Sequence, residues 1–113
     1  MCRSIEDAAD RAYSHVVVTT KAVPDVLRTP DLLKTFLTAP YIDSYEQPTY
    51  VLLQNGLNVE VDLYKAVKAL GKGEPKVVGS GVYINANLVD TNVVEHSDFV
   101  RPCFVHLVNF NIY

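Results

Sequence analysis

Two short apolar runs constrain this chain most, because each ends in polar residues and each leads into a helical pattern. The first is His15-Val16-Val17-Val18-Thr19-Thr20-Lys21, and the second is Tyr50-Val51-Leu52-Leu53-Gln54-Asn55-Gly56. Near-continuous apolar strands alternating with helices predict an α/β fold with a parallel sheet covered on both faces. In such sheets ligands bind beyond the carboxyl ends of the strands. Thr20-Lys21 and Asn55-Gly56 fall at those ends, so a lysine and an asparagine are expected side by side at a ligand edge.

The rest of the chain fits around these strands. Ser4 to Arg11 predicts a short helix, with Ser4 as N-cap and Glu6 and Asp7 in its first turn. Val23-Pro24 enforces an extended or turn conformation. Thr29-Pro30-Asp31 predicts a helix start, with Thr29 as cap, Pro30 at the first helical position, and Leu32, Leu33, Phe36 and Leu37 as the buried stripe. Residues 39–48 read as a polar loop bounded by prolines. A clearer helix follows Asn58, its expected cap, with Val59, Leu63, Ala66, Val67 and Leu70 on one face and Gly71 as its stop. Lys76 to Ile84 predicts a third strand, in which Gly79 and Gly81 allow a close approach to the backbone. Asn85 to His96 reads as the remainder of a terminal hairpin that includes the third strand and turns near Asp90-Thr91-Asn92, which leaves two parallel strands ahead of it. Beyond Phe99, residues 100–113 form an apolar tail without turn or capping signals, read either as an edge strand or as a segment outside the fold.

The chain has 113 residues, a length suited to one small domain that buries about two-thirds of its unfolded surface. Hydrophobic residues make up 49% of it, which supplies a core. A formal charge of -3 without a basic stretch gives no electrostatic footprint for nucleic acid. No apolar run reaches membrane-spanning length, and the N-terminus has no secretory pattern. Cys2 and Cys103 lack metal-type spacing, so free thiols in a reduced cytoplasmic setting are expected, with a Cys2–Cys103 disulfide as the lesser alternative.

The predicted order of strand, helix, strand, helix, strand matches the second half of a Rossmann-type dinucleotide-binding fold. The Gly-x-Gly-x-x-Gly turn that opens a complete one does not occur; Gly71-x-Gly73 and Gly79-x-Gly81 lack the third glycine and the context. Thr19-Thr20-Lys21-Ala22, Leu53-Gln54-Asn55-Gly56-Leu57 and Val93-Val94-Glu95-His96, in this order, resemble the ketopantoate reductase (2-dehydropantoate 2-reductase) family, fungal members especially. The resemblance spans roughly Ser4 to Phe99, so residues 1–99 are expected to be part of that family's N-terminal NADP-binding domain. It implies an NADPH-dependent oxidoreductase of pantothenate biosynthesis. By the same resemblance Lys21 contacts the cofactor, Asn55 touches both cofactor and keto-acid substrate, and Asn85 meets the cofactor near the end of the third strand.

Two family features have no counterpart here: the glycine-rich turn, and the C-terminal domain that carries the catalytic lysine and the substrate-binding carboxylate. Many relatives have Asn-Gly-x-Gly, where this chain has Asn58 in the last position. A fragment, inactive alone, is therefore expected. The alternative is a non-catalytic truncated product, or a small module that binds a partner through an open sheet edge.

Other polar residues have simpler readings. A lysine after a strand is ordinarily a solvated loop charge, and Asn-Gly is ordinarily a turn. His96 on a hairpin reads as structural, and His15 and His106 have no zinc-ligand spacing. Glu60, Asp62, Lys65 and Lys68 read as a solvated helix face.

Overall fold

The two apolar runs become strands β1 (His15–Val18) and β2 (Thr49–Leu52). They pair in parallel, His15 opposite Thr49 and Val18 opposite Leu52. A third strand, β3 (Val77–Tyr83), pairs in parallel with the other side of β2, with Tyr50 opposite Val77 and Leu52 opposite Gly79. The computed structural model describes residues 2–83, 86–96 and 101–107.

The connections carry the helices. Between β1 and β2 lie α2 (Thr29–Leu32), a 3-10 turn (Lys34–Leu37) and α3 (Tyr41–Ser44), and between β2 and β3 lies α4 (Val61–Ala69). Parallel crossovers are right-handed as a rule, and two that step the same way across a sheet place their helices on the same side. The burial pattern follows from this. Val18, Tyr50, Leu52 and Val77 share one core with Leu33, Phe36, Tyr41, Leu63, Tyr64 and Val67. On the opposite face Val17 is 53% exposed, and burial along β2 alternates between half-buried and buried residues. The expectation of a sheet covered on both faces is corrected accordingly: helices cover one.

Local chemistry explains the helix ends, with two corrections. Ahead of β1, the Ser4 Oγ accepts the Asp7 N–H at 3.2 Å and caps α1 (Ile5–Ala8), as its sequence predicts. Thr29 is not the cap of α2; Arg28 occupies that position without a side-chain bond, and Thr29 and Pro30 lie inside the helix. Asn58 does not cap α4 with its side chain either. Gly56 (φ 135°) and Asn58 (φ 59°) turn the chain between strand and helix, so the tolerance of asparagine for left-handed backbone is used there. Helix α4 starts after Glu60, and Gly71 (φ 65°) ends it by donating to the Lys68 carbonyl at 3.1 Å.

Residues 39–48 are more than a polar loop. Tyr41, at the start of α3, is buried with its ring centroid 4.9 Å from that of Phe36 in an edge-on contact and 5.0 Å from that of Tyr45. Tyr50 is fully buried, and its hydroxyl donates to Gln47 Oε1 at 2.8 Å.

The third strand also differs from expectation. Three strands are parallel, where the sequence suggested two and a hairpin containing the third. The hairpin is a separate two-stranded sheet, β4 (Ala86–Asp90) with β5 (Val93–His96), turning at Thr91-Asn92 as predicted. The tail supplies β6 (Arg101–Leu107), antiparallel to β3, so the edge-strand reading holds there. The sheet order is β1-β2-β3-β6.

Two outcomes test this core. Leu52→Ala removes a side chain with no exposed surface, so urea denaturation should show a loss of about 2–5 kcal/mol. Burial pushes the Tyr50 hydroxyl well above the ordinary tyrosine range and raises that of Tyr41. Both stabilising contributions are complete below the unfolded value of about 10 and are lost as pH rises through the folded values, because the unfolded chain ionises first. The thermal midpoint should therefore fall above about pH 10, and less steeply in Tyr50→Phe.

Candidate functional site

Register carries β1 and β2 to a common end. Lys21 and Asn55 each lie three residues beyond the matched pair Val18 and Leu52. Backbone pairing continues past the strands, since the Leu53 N–H donates to the Val18 carbonyl at 2.9 Å. A side chain then takes over. Gln54 is 4% exposed, and its Nε2 donates to the Thr20 carbonyl at 2.9 Å and lies 3.3 Å from Thr20 Oγ1. The residues just before Lys21 and Asn55 are thus tied together across the strand ends.

This tie fixes the amide orientation of Gln54, because rotating it would set its oxygen against the Thr20 carbonyl. Gln54 Oε1 is left buried without a hydrogen-bond partner. Beside it lies a cavity of about 200 Å³ lined by Thr20, Lys21, Val26, Leu27, Leu32 and Gln54. A smaller hollow of about 80 Å³ lies between the segment after β1 and the turn before α4, with Pro24, Leu57 and Asn58 among its walls. Arg28 and Asp62 close a 2.8 Å ion pair beside it, and that bond holds the guanidinium above its ordinary range.

The arrangement bears on the expected residues in different ways. Lys21 lines the larger cavity, and Asn55 stands exposed at the adjacent strand end. Asn85 lies outside the described residues. Gln54 was not anticipated, although the alternation Tyr50, Leu52, Gln54 already put a polar side chain on the buried side of the strand. Gly79 does admit a close neighbour, but from the chain itself: a Cβ there would lie 3.5 Å from the Glu60 carboxylate. His15 is exposed beside Ser14, its Nδ1 3.1 Å from Ser14 Oγ, and His96 is exposed on β5.

Chemically, the site offers an ammonium donor and an amide beside an apolar wall, whereas the unpaired Gln54 Oε1 is buried and not presented to a ligand. The ammonium and the amide suit binding and orienting a polar ligand. Among the described residues, no cluster of three or more His, Cys, Asp or Glu is placed to hold a metal ion, and no helix is long and apolar enough to cross a membrane. No protein-family model, no curated protein and no solved structure matches this chain.

The two glycines near the site should respond oppositely to alanine. At Gly56 the backbone is at φ 135° and a Cβ would sit 2.8 Å from Val59 Cγ1, so Gly56→Ala should cost more than about 1 kcal/mol. At Gly79 the added methyl meets ordinary contact distances, and the strand backbone loses less entropy, so Gly79→Ala should range from neutral to about 1 kcal/mol more stable. Denaturant midpoints of the two variants check the contrast.

Proposed function

We propose that this chain carries the nicotinamide-side half of a Rossmann-type dinucleotide-binding domain of the ketopantoate reductase kind, working in the cytoplasm. The observation that supports it is the placement of Lys21 and Asn55 at matched steps beyond neighbouring parallel strands, with Gln54 and Thr20 tying those ends together. Sequentially ordered parallel strands with helical crossovers are the arrangement such a half-domain needs.

The residues fit one end of NADPH. A cavity with an apolar wall and a cation among its lining residues suits a flat carboxamide ring and a ribose. The pyrophosphate has no matching cradle, because a Gly-x-Gly-x-x-Gly turn is absent from the 113 residues. When bound, the cofactor supplies the hydride that reduces the ketone of 2-dehydropantoate. Lys21 donates to ribose hydroxyls or to the substrate oxygen, and Asn55 holds the keto acid beside the ring. A proton donor for the product alkoxide is not assigned to any residue of this chain, so binding without turnover is the expected behaviour.

Titrating the isotopically labelled chain with NADPH tests this reading. Amide shifts should concentrate at 20–22 and 54–58, with a dissociation constant of about 1 mM or weaker, and vanish in Lys21→Ala and Asn55→Ala. Shifts scattered over the surface, or none near saturation of solubility, would remove the site. Ordinary turnover of NADPH with ketopantoate would overturn the binding-only part.

A further inference from the structure

Among the described residues the outer edge of β1 pairs with no other strand, and the proposed activity leaves that edge unused. The Thr49 N–H donates to the Ser14 carbonyl and the Leu53 N–H to the Val18 carbonyl, both at 2.9 Å. Strand groups alternate in direction, so the even-numbered residues of this stretch face β2. The N–H and C=O groups of His15, Val17 and Thr19 therefore point to the open edge. Its guard is brevity, since β1 is only four residues long. It contains no lysine, proline or acidic residue, and its register with β2 is unbroken. Alongside it runs a groove of about 540 Å³, with Ile5, Val17, Leu32, Leu33 and Phe36 among its lining residues.

The opposite edge of the sheet is different. Strand β6 carries Arg101 and Pro102, the latter opposite Val82, and a proline has no N–H to offer a new strand. Growth from β1 of one copy onto β6 of another is disfavoured. Pairing β1 with itself meets no such obstacle. An antiparallel pairing about a two-fold axis at Val17 sets Val17 opposite Val17 and His15 opposite Thr19, so no like charges from Lys, Arg, Asp or Glu meet. It satisfies the same three outward positions on both copies and closes, as an isologous contact must.

We propose that the β1 edge is a homodimer interface, which joins the sheets of two copies of this chain into one continuous sheet through antiparallel pairing centred on Val17. A second copy would occupy the edge that the other half of a complete dinucleotide-binding sheet takes, whereas the strand ends that carry the cofactor reading are a separate surface.

Sedimentation across a concentration series tests it on the whole chain. The mass should rise from 12.6 kDa to that of two chains and stop there. Val17→Lys places two ammonium groups at the axis and should raise the dissociation constant about tenfold or more, with the far-ultraviolet dichroism and urea midpoint of the monomer unchanged. Val17→Thr, which keeps a β-branched side chain, should dimerise. Hydrogen exchange supplies a readout independent of any variant. Protection of the Val17 and Thr19 amides should grow with concentration, whereas that of Val16 and Val18, already bonded to β2, should not. A mass of one chain at every concentration, assembly continuing past two chains, or a Val17→Lys dimer as tight as the parent would overturn the proposal.

Discussion

The structure depends on one side of one strand. Tyr50 and Leu52 have no exposed surface, and they lie on the strand β2, which is central and has parallel neighbours on both flanks. A central strand cannot be reached by hairpins when both neighbours run the same way, so each connection must cross over and bring helices with it. Those helices then cover the face on which Tyr50 and Leu52 lie. The core, the one-sided cover and the common direction of the three strand ends all follow from burying those two side chains.

Burial of this kind has to accommodate polar atoms, and the chain does so unevenly. Gln47 donates through Nε2 to the Phe36 carbonyl at 2.9 Å and accepts from the Tyr50 hydroxyl, so one amide satisfies a turn and a core phenol. Gln54 performs a similar task at the strand ends but keeps an unpaired Oε1. Leaving a buried acceptor unpaired costs about 1–3 kcal/mol. A leucine in that position would avoid the cost and extend the apolar pattern of Tyr50 and Leu52. The retained glutamine holds together the segments that lead to Lys21 and Asn55, which connects a local energetic cost to the geometry of the candidate site.

Much of this was legible in residue patterns. The strand positions of Val16 to Val18 and Tyr50 to Leu52, the helical stripe of Leu63 and Val67, the hairpin turn and the Ser4 cap all rest on local signals that nothing distant overrides. What escaped was non-local. The pairing partner of β3 depends on β6, far along the chain, and an apolar stretch of that length does not reveal which edge it joins. Burial of Tyr41 arises from an aromatic cluster assembled from separate segments, so a proline-bounded polar stretch concealed a core residue. The Gln54 to Thr20 bond spans 34 residues of sequence and could not be read before the register of β1 and β2 was known. Lys21 and Asn55 were legible as residues and as strand ends; their matched steps beyond Val18 and Leu52 were not.

The direction of the strands determines how the two proposed surfaces relate. The candidate ligand site lies at the carboxyl ends of β1 and β2, whereas the dimer edge runs along the side of β1. Antiparallel joining reverses one sheet relative to the other, so the two ligand sites of a dimer face opposite ends of the continuous sheet. Neither site needs a residue from the other copy, and neither is closed by the contact. Occupancy of one site therefore has no direct route to its twin except through β1 itself, whose last paired residue, Val18, lies two residues before the Thr20 carbonyl that holds Gln54. Ordering of the β1 edge and ordering of the strand ends share that short stretch of backbone, and any coupling between dimer formation and ligand binding has to pass through Thr19 and Thr20.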